Sequence, residues 1–323
     1  MKKFIITSIL SSLVCVASFG QSLVRTILSH EGALTTYNVD KWTDALTDAV
    51  AGDTVYFTPG YFPGSCTITK DITLIGAGEV VVQTGTDPTS GDPITETRRT
   101  TIGGTVYIDI EGEPTLSTWM LQGLHINDHI HLSKPVKSLK IKRCYVEDNF
   151  EAESIETTCT DVLIESCLFG RIYCGFLVNP YIYNCYIGEL NAENKPFAFE
   201  NCSIYTLTNS TGCTFRNCIV YSHVYANLNY YYYCVYREDF SGSGSEYTNC
   251  YNKPDYSFGG DLTVEELTSA GYFQDDGTTV VGHLGGTAPY TLLPAQPYIS
   301  ASTVSYNATN NKLNVNITVK KGK

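Results

Sequence analysis

An all-β fold of stacked short-strand coils is what the sequence predicts, and three observations predict it. One phrase recurs seven times between Leu139 and Lys253, centred on Cys144, Cys167, Cys185, Cys202, Cys218, Cys234 and Cys250. The spacing of these cysteines settles from 23, 18 and 17 residues to 16, 16 and 16. Around each cysteine, apolar residues alternate with polar ones at the period of two that marks strands. A repeat of this size means supersecondary units too thin to bury an apolar face alone, so they stack. Units this short leave no room for the helical crossovers of an α/β fold.

Each part of the phrase has a physical role. Three residues before the cysteines stand Ile141, Ile164, Ile182, Phe199, Phe215, Tyr231 and Tyr247; two residues after them stand Val146, Phe169, Ile187, Ile204, Val220, Tyr236 and Asn252. These are the inward positions of two strands that flank a corner. The corner residue is Asn184, Asn201, Asn217 or Asn249 in four coils and Arg143, Ser166 or Tyr233 in the others. Asparagine tolerates the left-handed backbone of a sharp bend and bonds the backbone locally, so an asparagine ladder is expected there. Coils of three strands, each about 4.8 Å above the last, fit these lengths. At the outward position two before the cysteine, Lys142 with Glu165 and Glu200 with Arg216 set opposite charges on adjacent coils. Cys15 aside, the chain's 12 cysteines leave an odd number. Their regular inward placement predicts a cysteine ladder of buried free thiols rather than disulfides.

The pattern resembles the right-handed parallel β-helix of the pectin-lyase-like superfamily, over roughly residues 40 to 260. The resemblance implies the handedness of the coil and says nothing specific about chemistry, because that scaffold carries lyases, hydrolases, adhesins and structural proteins. Trp42, Ala45, Leu46, Ala49 and Val50 follow helical spacing, and Gly52 ends the run. This stretch is similar to the helix that caps the N-terminal end of secreted β-helices. Strands at Val55 to Phe57 and Ile68 to Ile75 follow it. Residues 84–103 are polar and rich in turn formers, which predicts a loop inserted into an early coil.

Residues 1–20 read as a secretory signal peptide, with Lys2-Lys3, an apolar middle and small residues at Ser18 and Gly20. Val14 before Cys15 is too large for lipoprotein processing. The expected location is therefore secreted, periplasmic or on the cell surface of a bacterium. Residues 21–260 are assigned to the capped β-helix and residues 261–323 to an irregular C-terminal cap with a hairpin. In that last part, a short helix starts at Asp261, the Gly/Pro-rich residues 275–297 cover the C-terminal end of the stack, and a hairpin turns at Asn310-Asn311. The net charge is −12, and losing Lys2 and Lys3 makes it more negative. Nucleic acid and anionic lipid surfaces are excluded as partners on that ground, and no later stretch is apolar and long enough for membrane insertion. The oligomeric state is left open.

Several clusters carry candidate chemistry. His129 and His131, at i and i+2 on one strand face, present two imidazoles that suit zinc or copper; the alternative is an outward polar strand face. Asp128-His129 echoes an Asp-His pair of some pectate lyases. Glu147, Asp148, Glu151, Glu153, Glu156 and Asp161 make one long coil acidic, and Asp148, Glu151 and Glu165 are the carboxylates expected to hold calcium. Tyrosine is over-represented, at 24 residues, and Tyr183, Tyr186, Tyr205 and Tyr221 are expected to form an outward ladder on which sugar rings stack. For elimination chemistry, Arg143 or Arg171 would serve as base beside Asp128. The Arg-x-Pro-x-x-Arg motif of pectate lyases is absent, as is the Asn-Thr-Asp, Asp-Asp and Gly-His-Gly set of pectin hydrolases. The sequence therefore points to an exported β-helix that binds a polysaccharide or surface glycan. Its alternatives are a calcium-dependent polysaccharide lyase or glycoside hydrolase acting on uronate-containing polysaccharide, and a structural adhesin.

Overall fold

A computed structural model of the chain describes residues 24–86, 89, 93–111, 119–152, 158–236, 244–252, 263–286, 289–291, 298–307 and 312–320. Residues 1–20, expected to be a signal peptide, Glu153, Glu156 and Asp261 lie outside them. The chain is a parallel β-helix. Two sheets, of 12 and 13 strands, run along it, the first built from strands before each corner and the second from strands after it. A third sheet, of three strands, is confined to Val136–Lys137, Cys159–Thr160 and Leu177–Val178. Beyond it the third side merges into nine-residue strands, Ser203–Thr211 and Ile219–Asn227.

The inward columns are in register from coil to coil. Ile141, Ile164, Ile182, Phe199, Phe215, Tyr231 and Tyr247 pair in turn. The first six are at most 2% exposed. Where they are aromatic, the rings stack face to face at 5.2, 5.0 and 5.0 Å between centroids. The partner column after the corner is buried from Val146 to Val220, while Asn252, in the last coil, is exposed. Of the two expected charge pairs, Lys142 meets Glu165; Arg216 turns instead to Asp275, 3.5 Å away.

All seven corner residues have φ between +51° and +55°, including Arg143, Ser166 and Tyr233. The corner is therefore a backbone requirement that asparagine fits best and other residues meet under strain. The cysteine that follows closes the bend. Cys167 Sγ donates to the Glu165 carbonyl at 3.2 Å and the Ile141 carbonyl at 3.4 Å, and accepts from the Cys144 N–H at 3.5 Å. Cys218, Cys234 and Cys250 repeat the arrangement. Every described cysteine is free; burial pushes Cys66 up to about 12 and Cys144, Cys185 and Cys218 well above the usual range, whereas, against burial, hydrogen bonds from neighbouring thiols hold Cys167, Cys202 and Cys234 below it.

Helix α1, Trp42–Asp48, caps the N-terminal end. It buries Trp42, Ala45 and Leu46, with Trp42 edge-on to Phe57 and Phe62 and its indole N–H donating to the Pro63 carbonyl at 3.0 Å. Val50, expected on the buried face, falls after the helix and is 47% exposed. The expected loop at 84–103 is instead a hairpin of Val80–Thr86 and Pro93–Arg98, followed by strand Thr100–Ile102. Its arms, VVVQTGT and PITETR, carry the β-branched residues that suit strands. It joins the C-terminal hairpin, Tyr298–Asn307 with Lys312–Lys320, through Ala301 and Gln83, giving a four-stranded sheet.

The C-terminal segment is placed differently from expectation. Helix α2, Val264–Ala270, starts at Thr263 with a capping box to Glu266, and Gly271 ends it at φ +73°. The described residues 272–286 then run along the side of the stack. Gln274 bridges two rungs of the asparagine ladder, donating to Asn201 Oδ1 at 3.0 Å and accepting from Asn217 Nδ2 at 3.1 Å, and Asn184 Nδ2 donates to the Gly285 carbonyl at 2.9 Å. Leu267, Tyr272, Val280 and Val281 cover outward Ile219, Tyr221 and Val235 in a second apolar cluster. Apolar outward residues and unsatisfied amides on one side of the coil are what draw the segment there. Among the described residues no helix is long and apolar enough to cross a membrane.

Two outcomes follow from this packing. Replacing Tyr233 with asparagine relieves a left-handed backbone that a bulky side chain resists, so Tyr233→Asn should raise the free energy of unfolding by about 1 kcal/mol in urea titration. The second concerns His283, 5% exposed, paired with Ser203 Oγ at 2.7 Å and wedged between Tyr186 and Tyr290. Burial pulls its pKa down to about 4 from 6.5. Between these values the unfolded state binds more protons than the folded one, so stability falls as pH falls through 6.5 and levels off below 4. Docking of residues 263–291 should weaken by up to roughly 3 kcal/mol across that window. Hydrogen exchange of the segment against pH checks this, and His283→Gln should flatten the profile.

Candidate functional site

Ionisable groups gather on the outer face of the 13-stranded sheet in its early coils. Register places Tyr61, Thr101, His125 and Tyr145 in one outward column. Thr67, Tyr107, His131 and Glu151 form a second. Both columns alternate with fully buried Ile68, Ile102, Ile108, Ile126, Leu132 and Val146, which fix the direction of the outward side chains. Tyr61 and Tyr107 are 54% and 39% exposed.

Each histidine of the stretch 125–131 takes a carboxylate. His125 Nε2 lies 2.8 Å from Glu147 Oε1, with the ring flat on Tyr145 at 4.4 Å and 18°. Only 2% of its side chain is exposed, and burial holds its pKa below the usual value in spite of Glu147. His131 Nδ1 is 3.4 Å from Glu151 Oε1, and its ring meets Tyr107 edge-on at 5.6 Å. His129 Nε2 is 2.8 Å from Asp128 Oδ1 and 3.7 Å from Asp148 Oδ2. His129 and His131 thus face different acids and do not form a two-imidazole metal site.

Asp128, His129 and Asp148 offer one ligand atom each, all within 4.8 Å of one another. Thr105 Oγ1 donates to Asp128 Oδ2 at 2.8 Å and steadies it. This set of mixed oxygen and nitrogen donors suits a first-row transition cation better than calcium, which takes six to eight oxygens. The carboxylates expected to share calcium do not assemble. Asp148 stands with Asp128 and His129, Glu151 with His131 and with Asn149 at 3.2 Å, and Glu165 with Lys142 on the other sheet. The reason is topological: Glu165 precedes its corner, whereas Asp148 and Glu151 follow theirs.

Arg143, Arg171 and Asp128 likewise occupy three places. Arg171 lies in mid-strand, 2.7 Å from Glu189, and donates to the Tyr173 hydroxyl at 2.8 Å. Asp128 sits in the turn between strands His125–Ile126 and Ile130–Leu132. Arg143, at its corner, borders a small surface notch with Glu79, Arg99, Gly123, His125 and Tyr145. The four sugar-stacking candidates are also dispersed. Tyr183 is beside Glu165 on the 12-stranded sheet, Tyr186 lies against His283, and Tyr221 is 5% exposed beneath the C-terminal segment. Tyr205 is 50% exposed, its ring 5.7 Å from that of Tyr221.

Sequence reasoning missed Tyr61, Tyr107 and Glu79. A signal for the tyrosines exists in GYF and VYI, where one tyrosine stands at the outward position of a three-residue strand. Arg99 stands at the foot of the hairpin, 3.4 Å from Glu79. Comparison with protein-family models, with curated proteins and with solved structures gives no match to this chain, so its assignment as a parallel β-helix rests on its own strand pairing.

Proposed function

We propose that this chain is an exported β-helix that binds a glycan along the outer face of its early coils. The observation that carries the reading is the pair of outward columns at Tyr61 to Tyr145 and Thr67 to Glu151. There two exposed tyrosine rings, on successive coils, precede a row of histidine-carboxylate pairs. Aromatic faces stack on sugar rings, while carboxylate oxygens and imidazole nitrogens together accept from and donate to hydroxyls. Strands of a close-packed stack hold these groups, so little conformational freedom is lost when a ligand settles on them. Export rests on the leader-like residues 1–20, and buried thiols are a form in which cysteine survives outside the cytoplasm. The likeness to the pectin-lyase-like superfamily enters at the level of scaffold, where glycan contact along the coils is a use to which the shape lends itself.

Isothermal titration against a panel of neutral and acidic oligosaccharides tests the reading. A ligand should be found whose affinity falls about tenfold or more in Tyr61→Ala/Tyr107→Ala, from two lost stacking contacts. Tyr205→Ala should leave it unchanged. Absence of heat across the panel, or loss of binding in Tyr205→Ala alone, would overturn the assignment of this face.

A further inference from the structure

We infer that Asp128, His129 and Asp148 bind one divalent first-row transition cation, at the turn that follows strand His125–Ile126. The proposal is independent of the glycan-binding reading.

The distances carry it. His129 Nε2 lies 2.8 Å from Asp128 Oδ1, while Asp148 Oδ2 approaches the same nitrogen and stops at 3.7 Å, beyond hydrogen-bond reach. Donor atoms that share one tetrahedral or octahedral ion at ~2.0 to 2.1 Å stand ~2.8 to 3.4 Å apart, so the two separations bracket what a common cation requires. Charge points the same way. Among the described residues neither aspartate meets a Lys or Arg, and one imidazole stands against two carboxylates. A protonated imidazole would balance one of those charges; a divalent cation balances both. Only Nε2 is placed to serve as the nitrogen ligand, because Nδ1 is buried.

Backbone on neighbouring coils fixes both arms of the site. The Asn127 N–H donates to the Ile102 carbonyl at 3.0 Å and the Val106 N–H to the His129 carbonyl at 2.9 Å, which pins the turn to the coil before it. Buried Thr105 donates to Asp128 Oδ2 and leaves Oδ1 for the ion. On the other arm, the register shift between Val146 and Asn149 is a bulge that sends Glu147 to His125 and Asp148 to His129. Gly170 of the next coil packs so closely on this bulge that a Cβ there would collide with the Glu147 carbonyl oxygen. Ligands held in this way lose little freedom when an ion enters.

The donor set selects the ion. Two carboxylate oxygens with one imidazole nitrogen suit zinc and its neighbours, whereas calcium takes oxygens alone. The Asp128 and Asp148 side chains are 44% and 56% exposed, so the remaining coordination positions face solvent. A proton carried on Nε2 leaves to solvent as the ion binds.

Isothermal titration of the whole protein with zinc chloride, paired with NMR of the imidazole resonances, is the test. The parent should bind one zinc per chain and shift the His129 ring signals. Asp148→Asn and His129→Asn should each weaken binding at least about tenfold while their metal-free melting temperatures hold. Glu151→Gln, which alters only the neighbouring His131 pair, should leave zinc binding unchanged, and calcium should bind more weakly than zinc. Absence of zinc binding in the parent would overturn the proposal. So would equal binding in both site variants, which would put the ion elsewhere, or a loss in Glu151→Gln as large as in Asp148→Asn, the mark of diffuse attraction to an acidic face. Calcium bound in preference to zinc, with His129→Asn without effect, would overturn the class of ion.

Discussion

The whole structure depends on one bend. Each coil must turn sharply between its two main strands, which forces the residue before the cysteine into a left-handed conformation and leaves the next N–H buried. A cysteine at that point resolves the difficulty. Its thiol is small and apolar enough for a core position with no exposure, yet it donates to two carbonyls and accepts the corner N–H of the preceding coil. The hydrogen bonds are long and individually weak, but the thiol-to-carbonyl bonds recur along the ladder, and four N–H-to-thiol bonds join adjacent coils at the place where the sheet ladders are interrupted. A serine would make stronger bonds at a higher desolvation cost, and an alanine would leave the N–H unsatisfied.

From that bend follows register, and from register everything on the outside. Fixed corners force like position above like position, so a side chain's neighbours come from other coils rather than from its own sequence. Phe199, Phe215, Tyr231 and Tyr247 stack because the corners before Cys202, Cys218, Cys234 and Cys250 align. The same alignment stacks Asn184, Asn201 and Asn217 into a strip of amides, which a single glutamine, Gln274, can grip at two rungs. Outward Ile219 and Val235 add an apolar band beside the strip, and together they give the C-terminal segment a polar and an apolar track to follow.

The stack is legible in the sequence for the same reason. Residues 199 to 250 repeat at a constant 16, so inward positions, the corner and the thiol could be read directly and coincide with the buried columns. The site was less legible because it lies where the repeat is irregular. Between Cys144 and Cys167 the spacing is 23, the register shifts between Val146 and Asn149, and Thr101 and Tyr61 align with His125 across loops of unequal length. Asp148 and Glu165 are 17 residues apart and look like members of one acidic coil, yet Asp148 lies on the strand after the Arg143 corner and Glu165 on the strand before the Ser166 corner, which belong to different sheets. Asp128, His129 and Asp148 come together although 20 residues separate the two aspartates. Proximity along the chain misled in one case and concealed the contact in the other, and only register distinguishes them.

The placement of the polar face follows from what the later coils have already used. Their tyrosines suggested an open aromatic surface, but Tyr186 and Tyr221 are covered by a segment that returns from the C-terminus, and Tyr251 packs on Tyr272 at 5.3 Å. The outward residues that this segment covers serve folding, while Tyr181, Tyr205 and Tyr225 of the same coils stay exposed. The early coils lack the amide strip: their corners are Gly123, Arg143 and Ser166, which offer no ladder to grip. Their outward columns accordingly carry histidines, carboxylates and two exposed tyrosines rather than Ile219 and Val235. The corner thus shapes the outside of the stack: where Asn184, Asn201 and Asn217 align, their amides hold the chain's own tail.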